Sequence, residues 1–413
     1  MMLRMTKGIR AACALLLCTM LAACAAVPKP ARSDDAAVLL VSIDGFRADY
    51  LDRGLTPNLS RLANTGVRAD GMRPSYPALT FPNHYTLVTG VRPDRHGVVH
   101  NIMRDPAIGA FKNTRAENAG DGRWWNDAEP IWVTAEREGV HTATMFWPGS
   151  QAEIRGVRPT HWRKYDQSVP DAARVDQVVA WLGEPAPRIR LATVYFELLD
   201  QTGHAYGPDS PEIDRDIAVI DTTIGRLVDA LETHGLRDRV NLVIVSDHGM
   251  AAVAPGHVVA TEDMVDPRDA DVLTTGQSIG VFPKPGRERE AEAALLGRHA
   301  HYECWKKDAM PVRWHFGTHP RVPPIACQLD EGWDAIRRDE VMNRPAHARG
   351  SHGFAPELTS MRALFVANGL AFRPGTRLPV FDNVDVYPLL AHLLGITPQD
   401  NDGTLEPLVP SLR

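Results

Sequence analysis

The sequence predicts an α/β fold in which a parallel sheet is sandwiched between helices and carries a smaller inserted cap region. Runs at residues 38–43 and 240–245, which are apolar except for Ser42 and Asn241, are typical of strands that a parallel sheet buries on both faces. Amphipathic helical patterns alternate with such runs, as expected for a sheet covered on both sides. Between residues 287 and 345 this alternation stops, and tryptophans, prolines and two cysteines crowd together.

The N-terminal residues predict export. A basic start precedes an apolar run at residues 11–22, which is too short and wrongly flanked for a membrane-spanning helix. The small residues before Cys24 resemble a bacterial lipobox, in which the cysteine is lipidated and becomes the mature N-terminus. We therefore expect a periplasmic protein or a lipoprotein whose membrane contact is an acyl anchor at Cys24. The alternative is a plain signal peptide cleaved near Ala26.

These patterns divide the chain into four parts. They are a leader at residues 1–23, a tether at 24–37, a catalytic α/β domain formed by 38–286 and 346–413, and an inserted cap at 287–345. An irregular surface loop is the alternative for the cap.

Charge and cysteine content narrow the class of protein. The 413 residues carry a formal net charge of -6, which becomes about -9 without the three basic residues of the leader. An acidic protein is poorly suited to bind nucleic-acid polymers, so we expect no such partner, and we favour a monomer. Cys304 and Cys327 are the cysteines of the part that is expected to fold, and in an exported chain we expect them to form a disulfide.

The remaining elements follow from local signals. Thr56, Pro57 and Gly66 mark the start and stop of a helix. Ser210 and Pro211 start a long helix whose apolar residues recur at alternating steps of four and three, which places them on one face. The same reasoning predicts helices at residues 130–139, 171–183 and 387–394, and strands at 140–147, 191–199 and 361–367.

Aspartates follow three of the predicted strands. Asp44, Asp200 and Asp247 are expected at the carboxyl edge of the sheet, where open α/β proteins bind ligands. A single aspartate there is an ordinary turn residue, but His204 and His248 closely follow two of the three. Carboxylates that converge at one edge repel each other unless a cation neutralises them. The pattern therefore favours a metal site.

Thr80 lies where a short helix is expected to begin, because Pro82 and an apolar run come soon after it. A hydroxyl near the N-cap faces unpaired backbone N–H groups and the positive end of the helix, which suits an alkoxide and an incoming phosphate. Thr80 is therefore a candidate nucleophile. The alternative is a simple capping residue.

His352, which follows Gly350 and Ser351, adds a further imidazole. Mixed carboxylate and imidazole ligands favour zinc over magnesium or calcium. Six such ligands exceed what one tetrahedral zinc takes, so we expect two Zn²⁺ ions, with the Thr80 hydroxyl bound to one of them. Coordination would activate this weak nucleophile by lowering the pKa of its hydroxyl.

Five motifs, in order, resemble the nucleotide pyrophosphatase/phosphodiesterase family of the alkaline phosphatase superfamily. They are Asp44-Gly45-Phe46-Arg47, Thr80-Phe81-Pro82-Asn83-His84, the segment from Asp200 to His204, Asp247-His248-Gly249-Met250, and His352-Gly353. The resemblance covers residues 38–395 and implies an alkaline-phosphatase-like fold and a phosphothreonine intermediate. The ligands that it implies are Asp200, His204 and His352 for one zinc and Asp44, Thr80, Asp247 and His248 for the other.

The same resemblance assigns three residues to the substrate. Asn101 matches an asparagine that donates to a phosphoryl oxygen, and Phe81 and Tyr195 match aromatic contacts to a nucleobase. A surface amide is the alternative for Asn101, and core packing is the alternative for the two aromatic residues. The histidines expected to be structural or to orient ligands are His84, His96, His100 and His257.

The leading hypothesis is hydrolysis of phosphodiester or pyrophosphate bonds in a small nucleotide, with release of nucleoside 5′-monophosphate. The chain lacks the Cys-x-Pro-x-Arg or Ser-x-Pro-x-Arg segment of sulfatases, and an asparagine facing the phosphate fits a diester. One alternative is a phosphodiesterase for lipid head groups, with glycerophosphocholine-like diesters as substrates. The other is a surface lipoprotein that binds nucleotides without hydrolysing them.

Overall fold

The computed structural model describes residues 36–413, which belong to one compact unit. The predicted leader 1–23, the lipidation site Cys24 and all but the end of the predicted tether 24–37 lie outside the described residues. Within residues 36–413, no helix is both long enough and apolar enough to cross a membrane.

Strands and helices alternate through the chain, with short 3-10 turns between them. The strands are β1 (Ala37–Ile43), β2 (Val67–Ala69), β3 (Met72–Arg73), β4 (Ile102–Asp105), β5 (Gly109–Lys112), β6 (His141–Met145), β7 (His161–Arg163), β8 (Ile189–Phe196), β9 (Val240–Val245), β10 (Ala251–Val253), β11 (Val258–Ala260), β12 (Ala270–Val272), β13 (Ser278–Pro283), β14 (Gly297–Arg298), β15 (Tyr302–Lys306), β16 (Ile325–Leu329), β17 (Asp334–Ile336), β18 (Arg349–Ser351), β19 (Phe365–Asn368), β20 (Thr376–Leu378) and β21 (Phe381–Asp382). The helices are α1 (Pro57–Asn64), α2 (Thr80–Thr89), α3 (Pro93–His96), α4 (Ala116–Gly120), α5 (Ile131–Arg137), α6 (Asp171–Leu182), α7 (Leu198–Tyr206), α8 (Pro211–Thr233), α9 (Thr261–Met264), α10 (Glu288–Leu295), α11 (Arg338–Val341) and α12 (Val386–Leu394).

The central sheet has eight strands in the order β20, β2, β19, β9, β1, β8, β6, β7. β1 pairs in parallel with β8 and β9, and β6 pairs in parallel with β8 and β7. β19 runs antiparallel to β9 and β2, so the sheet is mixed at this one position. The strand predicted at 361–367 begins instead at Phe365, because a 3-10 turn ends at Met361. The expected α/β fold is confirmed.

Side chains of β1 alternate between two cores, as the period of a strand requires. Val38 and Leu40 pack with α2, α5 and α12, whereas Leu39, Val41 and Ile43 pack with α1, α6 and α8. Helices therefore cover both faces of the sheet. This layering buries the strands and leaves the carboxyl edge of the sheet to carry polar residues.

A second sheet is antiparallel and has the order β12, β13, β16, β15, β14. Cys304 on β15 lies directly opposite Cys327 on β16, and the two form the predicted disulfide. This sheet begins at Ala270, before the predicted start of the cap at residue 287, and β17 within that cap pairs with β11 outside it. The described residues form one compact unit, so the domain boundaries remain a prediction.

Candidate active site

Two neighbouring strands of the central sheet end at the site. Asp44 follows β1 at once, and its backbone N–H donates to Phe196 O on β8 at 2.9 Å. Ser246 follows β9, and Asp247 and His248 come directly after it. All three candidate ligands are buried. Because β9, β1 and β8 are parallel neighbours, these residues lie at one edge of the sheet, as predicted.

The sequence predicted that Asp200 follows the end of a strand, and this is wrong. β8 stops at Phe196, and Asp200 lies in the helix α7 that comes next. Asp200 lies in the first turn of this helix and His204 one turn later, so both side chains project from one face. Gly45 passes this turn with φ +69°, and a Cβ there would lie 3.0 Å from Asp200 Cα. The missing side chain of Gly45 therefore lets Asp44 approach Asp200.

The first ligand group consists of Asp200, His204 and His352. Nε2 of His352 lies 3.1 Å from Nε2 of His204 and 3.3 Å from Oδ1 of Asp200. Nε2 of His204 lies 3.4 Å from the same carboxylate oxygen. Ligands about 2.0–2.1 Å from a tetrahedral zinc ion stand about 3.3 Å from one another. The three separations therefore fit the edges of a zinc coordination tetrahedron.

The second ligand group surrounds Nε2 of His248. This nitrogen lies 2.9 Å from Asp247 Oδ2 and 3.3 Å from Thr80 Oγ. It lies 3.5 Å from Asp44 Oδ1. The imidazole of His248 also stacks on that of His352, with ring centroids 3.5 Å apart. The two groups therefore adjoin, and the Thr80 hydroxyl belongs to the second.

The buried carboxylates of the site would be stabilised by a bound cation. Oδ1 of Asp44 and Oδ1 of Asp200 are buried and accept no hydrogen bond from the described residues, although imidazole nitrogens lie beside them. Burial, together with the neighbouring charges of Asp247 and Asp200, raises the pKa of Asp44 well above its usual range. Buried, mutually repelling carboxylates are stabilised by bound metal ions. The described residues offer two candidate metal groups here that share His248: one with Asp200 and His352, the other with Asp44 and Asp247. Their mixed nitrogen and oxygen donors suit zinc.

Each imidazole of the site is oriented through its other ring nitrogen, Nδ1, which donates to a backbone carbonyl. These bonds join His204 to Gly350 at 3.1 Å, His248 to Gly249 at 3.0 Å and His352 to Ala78 at 2.9 Å. A neutral imidazole held in this way keeps Nε2 unprotonated, as a metal ligand requires. Burial and the adjacent imidazoles also lower the pKa of His352 well below its usual range, which favours its neutral form.

Thr80 is the first residue of α2, directly after the extended N-cap residue Leu79. Asn83, in the same first turn, donates through its amide to Pro77 O and to Leu79 O at 2.9 Å each. These bonds tie the preceding loop to the helix. The Thr80 hydroxyl is thereby held at the positive end of α2, beside the second ligand group.

Asn101 lies against the same helix start. Its Oδ1 accepts a hydrogen bond from the backbone N–H of Phe81 at 2.9 Å. Since this bond occupies the oxygen, the NH₂ group of Asn101 is left to donate to a ligand beside Thr80. The position agrees with the predicted phosphoryl contact, which stays a prediction.

His84 does not belong to either ligand group but contacts residues of the site. Its Nδ1 lies 2.9 Å from Thr80 O and 3.3 Å from Asp247 Oδ2, and its Nε2 lies 2.8 Å from Ser42 Oγ. This buried imidazole thus contacts both the backbone of the candidate nucleophile Thr80 and the candidate ligand Asp247. The other histidines expected to be structural, which bond to backbone groups instead, are His96, His100 and His257.

A cavity of about 460 Å³ opens beside Thr80 and has an aromatic lining. Tyr195 contributes to this lining but is 8% exposed, and its hydroxyl donates to Asp44 Oδ2 at 2.6 Å. Tyr165 lines the same cavity at 41% exposure, and the sequence reasoning missed it. It lies in irregular chain between β7 and α6, where no periodic signal singles it out. The predicted base contact of Tyr195 stays a prediction, and Tyr165 offers more ring surface to the cavity.

Comparison with known proteins identifies the family. Residues 38–355 match the type I phosphodiesterase/nucleotide pyrophosphatase family. Human ectonucleotide pyrophosphatase/phosphodiesterase family member 7 is 37% identical over 410 residues, which span 96% of this chain and 88% of that protein. Xenopus laevis bis(5′-adenosyl)-triphosphatase is 34% identical over 377 residues, which span 91% of this chain and 81% of that protein.

A solved structure agrees with this result. Murine ectonucleotide pyrophosphatase/phosphodiesterase 5, as an inactive threonine-to-alanine variant in complex with AMP, matches this fold with a TM-score of 0.87. It is 33% identical in sequence, and the match covers 92% of this chain and 100% of that chain. The chain therefore belongs to the type I phosphodiesterase/nucleotide pyrophosphatase family, has its alkaline-phosphatase-like α/β fold and is an enzyme that hydrolyses phosphodiester bonds.

Proposed function

We propose that this enzyme hydrolyses phosphodiester and pyrophosphate bonds of small nucleotides with two zinc ions and a phosphothreonine intermediate, and releases nucleoside 5′-monophosphate. The observation that carries the proposal is the position of Thr80 Oγ, 3.3 Å from His248 Nε2, where two adjoining ligand groups are spaced as zinc ligands are. The AMP complex of the inactive threonine-to-alanine variant of the murine relative supports both the nucleotide and the threonine.

The ligand groups divide the proposed metal ions between them. Zinc held here would lower the pKa of the Thr80 hydroxyl and offset negative charge on the phosphoryl oxygens. One ion belongs to Asp200, His204 and His352, and the other to Asp44, Thr80, Asp247 and His248.

In the first step, Thr80 Oγ gives its proton to solvent and forms a bond to phosphorus, while the bond from phosphorus to the leaving oxygen breaks and that oxygen keeps the electron pair. The NH₂ group of Asn101 donates to a phosphoryl oxygen, and the positive end of α2 faces the same charge. In the second step, a water oxygen attacks phosphorus and the bond to Thr80 Oγ breaks. The attacking water gives a proton to Thr80 Oγ, and the nucleoside 5′-monophosphate departs.

The cavity of about 460 Å³ is the proposed nucleoside subsite. Phe81 lies next to the nucleophile in the chain and packs beside Phe111 and Trp125, which hold its ring at the cavity wall. Tyr165 presents an exposed ring to the same space. Aromatic faces of this kind bind a planar base by stacking.

Thr80→Ala tests the nucleophile directly. We expect the variant to lose at least about 10³-fold in kcat on a nucleotide diester, because the attacking oxygen is removed, with zinc content per chain nearly unchanged. Thr89→Ala is the matched control, since Thr89 ends the same helix and its hydroxyl donates to Tyr85 O, away from the ligands. Normal turnover by Thr80→Ala would show that the nucleophile is assigned wrongly.

A phosphodiesterase for lipid head groups is the second candidate, because the aromatic lining of the same cavity could enclose a quaternary ammonium group. The kcat/KM values for a nucleotide ester and for a glycerophosphocholine ester separate the two. We expect the nucleotide ester to be preferred. Preference for the choline ester would favour the second candidate.

Export through the leader, with a lipid anchor at Cys24, is part of the proposal. Cys24→Ala should move the protein from the membrane fraction to the soluble exported fraction if the anchor exists. An unchanged distribution would favour a plain signal peptide.

A further inference from the structure

A second cavity, of about 560 Å³, reaches the metal ligands at His204 and His352 and is also lined by Asn101. The nucleoside cavity reaches Thr80 and Asp44 instead. A phosphodiester at Thr80 carries two substituents on phosphorus besides its two free oxygens. The two cavities therefore offer one space for each substituent.

Two arginines give the second cavity its charge. Oδ2 of the buried Asp334 accepts from Nη2 of Arg344 at 2.6 Å and also from Nη1 of Arg349, while its Oδ1 accepts from the amide of Gln277. One carboxylate thus accepts hydrogen bonds from two guanidinium groups, each of which has five N–H donors. The Arg344 and Arg349 side chains are 23% and 20% exposed, so both keep donors toward the cavity and the cluster has a positive excess.

The remaining lining matches a phosphate chain better than it matches a lipid or a choline group. Glu340, the other carboxylate among the described residues that line the cavity, is paired with Arg337 at 2.7 Å. Among the described residues that line the cavity there is no phenylalanine, tyrosine or tryptophan, the rings that bind a quaternary ammonium group by their faces. Guanidinium groups bind phosphate oxygens in a forked geometry and repel cations.

We propose that the second cavity receives the leaving group, and that Arg344 and Arg349 select a leaving group that is a phosphate chain. The inference rests on the function proposed above. In a nucleoside triphosphate, Thr80 Oγ would bond to the α-phosphorus. The bond from that phosphorus to the α,β-bridging oxygen would break, and pyrophosphate would depart with the electron pair. The two guanidinium groups face the oxygens on which that charge collects.

The experiment compares ATP with the 4-nitrophenyl ester of AMP, because both transfer the same adenosine 5′-phosphoryl group and differ in the charge of the leaving group. We expect Arg344→Gln to lower kcat/KM for ATP at least tenfold and to change kcat/KM for the nitrophenyl ester less than threefold. Arg344→Lys retains the charge beside Asp334 but not the fork, so it should lose about two- to fivefold on ATP alone.

Arg338→Gln is the matched control, because Arg338 lies in the same segment, pairs with the exposed Asp263 and does not line the cavity. It should leave both substrates unchanged. Equal losses on both substrates in the Arg344 variants, or no loss on ATP, would overturn the inference. A wild-type enzyme that hydrolyses neither substrate would instead refute the proposed function, so the two failures are distinguishable.

Discussion

Tyr195→Phe separates two roles for a residue that the family resemblance matched to a nucleobase contact. In the structure its hydroxyl donates to Asp44 Oδ2 at 2.6 Å, and both groups are buried. Removing a hydrogen bond to a charged acceptor costs about 1.5–3 kcal/mol, and losing a partner that orients a metal ligand costs about 10–100-fold in metal affinity. A factor of 10–100 corresponds to about 1.4–2.8 kcal/mol, so the two estimates agree. We therefore expect zinc affinity to fall about 10–100-fold.

The assay is zinc binding in competition with a chromophoric chelator, followed by kcat/KM at limiting and at saturating zinc. Saturating zinc should restore most of the activity of Tyr195→Phe, since the loss lies in metal binding. Tyr85→Phe is the matched control, because the buried Tyr85 hydroxyl donates to Trp125 O and Ala128 O, remote from the ligands. Unchanged zinc affinity together with a raised KM for nucleotides would refute this reasoning and support the base contact.

Three further predictions follow from the geometry. Asn101→Ala should lower kcat about 10²-fold while zinc content is retained, because one donor to the phosphoryl oxygens is lost; a change confined to KM would contradict this. Gly45→Ala should reduce zinc binding and kcat at least tenfold, since the new Cβ would lie 3.0 Å from Asp200 Cα. A variant that binds zinc as tightly as the wild-type enzyme would contradict this prediction. Burial lowers the pKa of His96 to about 3 and of His100 to about 4. Below pH 6.5 the unfolded chain binds protons at these histidines that the folded chain does not, so the stability of the fold is full above pH 6.5 and is lost toward pH 4. The free energy of unfolding of zinc-free protein should therefore fall by about 2 kcal/mol per histidine between pH 7 and pH 5, and an equal fall in His100→Gln would count against it.

The buried strands and the long helices could be predicted from sequence because their signals are local. Residues 240–245 are apolar except for Asn241 and form β9 within the predicted bounds, and the helix predicted from Pro211 is α8. Asp44, Asp247 and His248 were expected at the carboxyl edge for the same reason, since each directly follows a strand that is easy to recognise. Sequence patterns that extend over about a dozen residues are therefore enough to place these three site residues.

Other features depend on contacts between distant segments. Asp200 was expected at a strand end, but β8 stops earlier and α7 carries the residue, because an apolar run does not show where a strand gives way to a helix. Tyr165 lies in irregular chain, and it matters because β6, β7 and α2 leave a cavity there. The start of the second sheet at Ala270 was not predicted for a similar reason: its strands are short and pair with segments that are distant in the chain, across the disulfide region.

The approach of His352 to His204 shows most clearly why such contacts escape local reasoning. β18 pairs with β10, which follows His248 closely, so the chain returns to the sheet edge beside that ligand. At Gly350 a Cβ would lie 2.4 Å from Gly203 O, so β18 can approach α7 this closely only without a side chain there. The carbonyl of Gly350 then accepts from His204 Nδ1. Gly350 thus allows two candidate ligands that are distant in sequence to come within 3.1 Å of each other and orients one of them, and the residues around Gly350 in the chain give no sign of Gly203 or His204.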